Sequence, residues 1–240
     1  MYLRPAIVFI AIAEQGLRKL GRLDTQTISG ASLILLIVNG SHHKTSILMD
    51  KEELVTVFSR ELQVSPVQAA QLLEMGRLIT HAKGTVIHRP GEVFEDLGFL
   101  IQGATRTYFK NKDNEDVSYL LNVEGDTYGD YESYVTGKPS TFSIEAVTNV
   151  VAIHFSKSQI EQLSNEDNIW LRVARRISDL AFLDAKQRLD DILLLTPEER
   201  YLKLVEARPR ILQVMPLMYV SSYIGITPQS LSRIRKRIIT

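Results

Sequence analysis

The sequence predicts an α+β chain: helices, then a run of short antiparallel strands, then a long helix and a terminal helical hairpin. Three observations carry this expectation. Turn signals punctuate residues 80–155 at regular spacing, residues 169–195 run without glycine or proline, and residues 217–237 repeat apolar side chains with helical period around Gly225, Thr227 and Pro228.

Taken in order, residues 1–48 hold two apolar runs, Ala6–Ala13 and Ala31–Val38. Each is well short of the roughly 20 residues that a membrane span requires. Met1-Tyr2-Leu3-Arg4 before an apolar run faintly resembles an export signal, but Glu14 follows and no small-residue cleavage site is fixed. The segment reads as an extension upstream of a start at Met49, with an accessory hairpin as the other reading. Residues 50–79 read as helical from Leu54, Val57 and Phe58, then Ala69, Leu72, Leu73 and Leu78, with Ser65-Pro66 as a helix start between them. Strand-like runs follow at Thr85–Ile87, Leu97–Ile101, Thr105–Phe109, Val117–Leu121, Thr141–Ala146 and Val150–Phe155. Between them lie Arg89-Pro90-Gly91-Glu92, Gln102-Gly103, Lys112-Asp113-Asn114, Glu124-Gly125-Asp126 and Gly137-Lys138-Pro139, the punctuation of an antiparallel barrel or sandwich.

Ile160–Leu195 is helical again, and in Ile169–Leu195 the spacing of Val173, Ile177 and Leu180 predicts a seam for a partner helix. Thr196-Pro197-Glu198-Glu199 caps a new helix that Arg208-Pro209-Arg210 ends, placing a domain boundary near residue 195. In the last segment Tyr219, Val220, Tyr223 and Ile224 form an apolar face, and Gly225 suits a sharp helix exit. Thr227 is a good N-cap, and Pro228 fits the first helical position, where a missing N–H costs nothing. Leu231, Ile234 and Ile238 form the inner stripe of the second helix, leaving Gln229, Ser230, Ser232, Arg233, Lys236 and Arg237 outside. A short helix offering Gln, Ser and Arg from its N-terminal end suits base edges in a major groove.

The 240 residues, 45% hydrophobic, are enough for one large domain or two small ones with a real core. There is no cysteine, which excludes disulfides, thiolate zinc sites, cysteine-ligated clusters and a cysteine nucleophile, and fits a cytoplasmic location. A formal net charge of zero hides a division. Residues 197–240 carry eight basic groups against three acids, residues 1–48 five against two, and residues 49–196 are therefore acidic by eight. An acidic middle with a basic end suits a chain that meets phosphates at one end only. No His-x-His stands in the strand region for a cupin-type metal centre, and His42-His43 are adjacent residues outside it. Asp190-Asp191 and Glu198-Glu199 read as solvated helix faces, and no Walker-type phosphate loop is present. The expectation is no enzyme, no metal and no cofactor.

This order of parts resembles the Crp/Fnr family of bacterial transcription regulators across about residues 50–239. The residues that carry the resemblance are Arg89-Pro90-Gly91-Glu92, Phe99-Leu100-Ile101-Gln102-Gly103, Gly125-Asp126, Gly129-Asp130, Pro197-Glu198-Glu199-Arg200-Tyr201 and the terminal motif. The wording of that motif is most similar to members from Bacteroidetes-type bacteria. The resemblance implies an antiparallel β-roll sensor, a long dimerisation helix and a C-terminal winged helix-turn-helix. It also implies a mechanism in which an effector in the roll shifts the dimer helices and reorients the DNA-binding domains. The domains implied are an N-terminal extension at 1–48, a cyclic-nucleotide-binding-like roll at 49–168, a dimerisation helix at 169–195 and a DNA-binding domain at 196–240.

The effector-pocket positions implied are Gly129, Asp130, Tyr131, Lys138, Ser140 and Thr141. Here the chain departs from the cyclic-nucleotide members, whose cassette reads Gly-Glu-x-Gly-Leu with a later Arg-Ser or Arg-Thr. Glu132 stands where glycine allows close backbone approach, and Ser140 where arginine neutralises the cyclic phosphate. Lys138 is a flexible point charge nearby. The expectation is a roll that does not bind cyclic AMP in the usual way. Iron–sulfur sensing lacks its cysteines, and His81, His88 and His154 are isolated in sequence, a poor set for haem.

The DNA-reading positions implied are Gln229, Ser230 and Arg233, with Arg233 suited to guanine O6 and N7 and Gln229, in place of a glutamate, suited to adenine. Pro228 replaces a basic residue. Lys236 and Arg237 are expected on phosphates, Ser221 or Ser222 adds a phosphate contact, and Thr227 belongs to the same surface. The partners expected are a second copy of the chain, double-stranded DNA with an imperfect palindrome whose half-sites lie about 34 Å apart, RNA polymerase, and a small-molecule effector of unidentified chemistry, without a membrane. The alternative is a small-molecule sensor or interaction module that does not bind DNA.

Overall fold

The computed structural model describes residues 50–239. The extension or hairpin expected in residues 1–48, and a start at Met49, lie outside the described residues. Two short helices open the described chain, α1 (Lys51–Leu62) and α2 (Pro66–Met75). Each is started by a reciprocal cap. Asp50 accepts from the Glu53 amide at 2.8 Å while Glu53 accepts from the Asp50 amide, and Ser65 and Gln68 repeat the arrangement one helix later.

Eight strands follow: β1 (Arg77–His81), β2 (Val86–His88), β3 (Asp96–Gln102), β4 (Thr105–Lys110), β5 (Asp116–Asn122), β6 (Thr127–Tyr128), β7 (Ser143–Ala146) and β8 (Val150–Ser156). Helix α3 (Tyr131–Thr136) sits between β6 and β7. The strands form two four-stranded antiparallel sheets, ordered β1-β8-β3-β6 and β2-β7-β4-β5, the layers of a roll. Its interior is filled by Phe94, Leu100, Tyr128, Ile144, Ala146, Val150 and Ala152. The outer face of the first sheet is also covered: Phe99, Ile101, Val151, Ile153 and Phe155 pack with residues of α1 and α2. A strand buried on both faces loses alternation, which is why Phe99-Leu100-Ile101 reads as a continuous apolar run.

One row of side chains crosses the first sheet. Gly98 of β3 lies between Tyr128 of β6 and His154 of β8 in register. A Cβ at Gly98 would collide with the Tyr128 ring, so glycine there lets the ring lie across the strand. The Tyr128 hydroxyl reaches His154 Nε2 at 2.5 Å, and His154 Nδ1 faces Asp96, which also pairs with Arg77 at 2.5 Å. Burial pushes the Tyr128 phenol up. Burial also holds His154 below its ordinary 6.5, outweighing the Asp96 carboxylate.

Helix α4 (Lys157–Glu166), capped by Ser156 and Gln159, leads into α5 (Asn168–Leu194), a helix of 27 residues and thus about 40 Å long. Trp170 and Val173 of α5, with Ile177 beside them, pack into the core formed by α1 and the first sheet. Of the partner seam expected at Val173, Ile177 and Leu180, Val173 and Ile177 are spent within the chain, while Leu180 stays exposed. The outward apolar stripe is on the opposite side. Leu171, Arg175, Ser178, Phe182, Ala185, Leu189 and Ile192 follow one another at alternating spacings of four and three residues. Leu171, Phe182, Leu189 and Ile192 of that stripe are exposed.

The C-terminal unit comprises α6 (Pro197–Ala207), α7 (Pro209–Val214), α8 (Leu217–Ile224) and α9 (Pro228–Ile239). The wing implied by the resemblance is not found among the described residues. The described residues from 157 onward are helical without a strand, and the short helix α7 follows α6 directly. Pro209 stands at the first position of α7, where its missing N–H costs nothing. No helix among the described residues is long and apolar enough to cross a membrane.

Burial lowers His81 and His88 as it does His154, so all three stay neutral in the folded chain where unfolded imidazoles already take up protons. The stability this gives is fully present above the unfolded value near 6.5 and is lost as pH falls through it toward the lower folded values. Urea unfolding is expected to show a falling midpoint between about pH 7 and about pH 5, with a shallower fall in His154→Gln. A midpoint that is flat or rises on acidification contradicts the buried neutral histidines.

Candidate nucleic-acid interface and effector site

Helices α8 and α9 meet across Gly225, whose φ of 78° lies in the left-handed region and ends α8. The Thr227 hydroxyl accepts from the Ser230 amide at 3.2 Å, holding the first turn of α9. Leu231 and Ile234 face inward against Val220 and Ile224. Ile238, expected on this inner stripe, is exposed instead. Gln229, Ser232, Arg233, Lys236 and Arg237 are exposed, and Ser230 is half-buried with its hydroxyl 3.1 Å from that of Thr227. Arg233 and Arg237 overhang an open cleft of about 440 Å³ between α9 and the start of α6, where Glu198 pairs with Arg237 at 2.5 Å.

The structure does not bring Ser221 and Ser222 to this surface. Ser221 is fully buried and donates to the Met218 carbonyl at 2.9 Å. The Ser222 hydroxyl accepts from the Ser118 amide of β5 at 2.9 Å. Both are corrected from phosphate contacts to packing within the chain. Further charges counted toward the basic end are likewise engaged, among them Lys203, which pairs with Asp191 at 2.6 Å. Arg208 pairs with Asp126, Arg210 grips both oxygens of Glu124 at 3.0 and 3.1 Å, and Arg200 donates to carbonyls at the ends of α5 and α8. Burial would raise Glu124, but the Arg210 guanidinium and backbone amides outweigh it and hold the carboxyl below its ordinary range.

In the roll, one of the candidate pocket residues, Gly129, lies against Phe94. Gly129 passes so close beneath this ring that an added Cβ would stand 2.6 Å from it. Asp130 is buried and caps α3 through the Ser133 amide at 3.2 Å. Ser133 accepts from the Phe94 amide at 2.8 Å and donates to the Lys138 carbonyl at 2.6 Å. Ser140 is only 4% exposed; its hydroxyl accepts from the Phe142 amide at 3.0 Å, and its backbone bonds to Gly91 and Glu92. Lys138 and Thr141 are exposed. Tyr131 points away from the interior and meets Ser178 of α5 at 2.6 Å between hydroxyls. Asp130, Ser133 and Ser140 are thus bonded to their own neighbours, and Ser140 brings a hydroxyl in place of a guanidinium.

Sequence reasoning missed Phe94, Thr107 and Arg106 here, and weighed His88 only as a haem ligand. Phe94 carries no motif signal. His88, Ile144 and Thr107 lie side by side across β2, β7 and β4, so His88 and Thr107 face the interior beside Ile144. His88 Nε2 and Thr107 Oγ1 find no hydrogen-bond partner among the described residues. Arg106, on the other face of β4, is 2% exposed and lies between the rings of Tyr108 and Tyr219 at 4.3 and 4.0 Å.

Residues 78–167 match the cyclic nucleotide-binding domain family. No curated protein matches the sequence significantly. Among solved structures, the chain is similar to FixK2 from Bradyrhizobium japonicum, with a TM-score of 0.55 and 19% identity over 68% of this chain and 84% of that one. It is similar to CLP, the c-di-GMP responsive global regulator of Xanthomonas campestris, with a TM-score of 0.56 and 13% identity over 72% and 91%. It is also similar to the catabolite activator protein of Thermus thermophilus, with a TM-score of 0.50 and 15% identity over 75% and 86%. At these identities the likeness is one of fold, and that fold is a cyclic-nucleotide-binding-type roll carried beside a long helix and a helical C-terminal unit.

Proposed function

We propose that the chain is a dimeric, sequence-specific DNA-binding transcription regulator of the Crp/Fnr type, acting in the cytoplasm by binding rather than catalysis. The observation that carries this reading is α9: a helix capped by Thr227, set against α8 through Gly225, with Gln229, Arg233 and Lys236 exposed along one side. Arg233 and Gln229 read base edges, and Lys236 and Arg237 meet phosphates. The wording of the terminal motif supports a Bacteroidetes-type member. Two copies pair through the outward stripe of α5, where four-and-three spacing gives a coiled-coil seam, and present two recognition helices to an imperfect palindrome. RNA polymerase is the onward partner. The filled interior around Phe94 and the uncharged Ser140 support a roll that does not take cyclic AMP.

Three measurements test these statements. Arg233→Ala is expected to cost about 1–3 kcal/mol of operator binding and to relax preference at one base pair, read by a gel-shift series over single-base operator variants. A uniform loss over all sequences makes Arg233 a phosphate contact, and no binding by the unaltered chain even at low salt favours a sensor without DNA. Phe182→Lys is expected to turn the dimer into a folded monomer in sedimentation velocity, because a charge enters the seam while the roll core stays intact. A dimer of unchanged stability places the seam elsewhere. Added cyclic AMP is expected to leave the melting temperature where it is, and a concentration-dependent rise of several degrees contradicts this reading.

A further inference from the structure

Resting on the DNA-reading proposal, we infer that the second sheet of the roll positions the recognition helix: β5 and the β5–β6 turn hold the helical unit in a DNA-competent pose without an effector. Domains within one chain move relative to each other unless their interface is large and apolar. Here the apolar core is continuous across the junction. Leu121 and Val123 of the roll belong to one buried cluster with Ile211, Met215, Val220 and Ile224 of the helical unit.

Polar groups then fix the register of this contact. Helix α8 lies along β5, the free edge of the second sheet, and Ser222 accepts the Ser118 amide that a neighbouring strand would otherwise take. Glu124 and Asp126, both in the β5–β6 turn, receive Arg210 and Arg208 from the start of α7. Arg106, held by Glu145 at 3.2 Å and Asp116 at 3.5 Å, stacks on Tyr219 of α8. These contacts all fall on α7 and α8. The exposed side of α9, with Gln229, Arg233 and Lys236, stays open to solvent in the docked state. A contact that fixes the unit while leaving its reading side open preorganises binding rather than blocking it. Glu124, Asp126 and Ser222 are accordingly positioning residues.

The test uses the full chain and exchanges one pair of charges. Glu124→Arg and Arg210→Glu each set like charges face to face, and the double variant restores an opposite pair with the net charge of the starting chain. Two quantities are read: operator affinity by fluorescence anisotropy, and hydrogen-exchange protection of the Ser118 amide. Each single variant is expected to lose Ser118 protection and to bind about tenfold more weakly, as when the competent fraction falls to about a tenth, and the double variant to regain both. Ser222→Ala, which removes one hydroxyl and leaves the core intact, is expected to weaken both modestly and serves if a charge reversal prevents folding. Unchanged or tighter DNA binding in chains whose Ser118 amide has opened overturns the inference, the tighter case making the contact inhibitory. Absence of binding by the unaltered chain, with Ser118 still protected, overturns the DNA reading itself instead.

Discussion

A guanidinium is costly to take out of water unless opposite charge and acceptors meet it, since an ion buried alone costs several kcal/mol. Arg106 and Arg208 are both buried, and where they go, the helical unit must follow. Arg106 takes Ser118 and Glu145 from its own sheet and leaves its two flat faces to Tyr108 and Tyr219. Arg208 reaches the Leu121 carbonyl and Asp126 across the junction. Removing Asp126 would leave the Arg208 cation without its carboxylate, so the acidic turn and the basic start of α7 are one structural unit divided between two parts of the chain. The acidity of the middle segment, read from composition as the counterpart of a basic end, has this more local use.

The roll shows the opposite economy. Its interior contains few charged groups, and where a ligand-binding roll needs a gap it has aromatic rings. Phe94 lies over Gly129, and the His88 ring meets Phe94 edge-on at 5.0 Å. The closeness of backbone that Gly129 permits is thus filled by a side chain of the same molecule. Tyr128, beside it, is held by His154. A glycine in a phosphate-binding position and a glycine beneath a phenyl ring look identical in sequence, yet they have different consequences for what the roll admits.

Much of the fold was legible because it rests on local chemistry. Ser65-Pro66, Thr196-Pro197 and Thr227-Pro228 each mark a helix start by a cap and a tolerated proline, and Gly225 marks a left-handed exit. The strands were legible from their turns. The errors arise where one pattern serves two partners. Val173, Ile177 and Leu180 have a seam's spacing, but α5 carries apolar residues on two sides, and periodicity does not say which side its own roll consumes. Ser221 and Ser222 are small polar residues on a helix presumed free, and their burial depends on a strand edge more than a hundred residues earlier in the chain. The wing was carried by resemblance alone, and Pro209 starts a helix in that place. Phe94, Arg106 and Thr107 have no spacing signal at all, because their roles come from which sheet face they occupy.

The hydroxyl contact between Tyr131 and Ser178 joins two places that function otherwise separates. Tyr131 belongs to the short helix between β6 and β7, and Ser178 stands on the outward stripe of α5. Hydrogen bonds of this kind fade over a few tenths of an ångström. A small tilt of that short helix therefore either drags the long rod with it or surrenders the bond to water, so the phenol ties the rod's position to that of the roll.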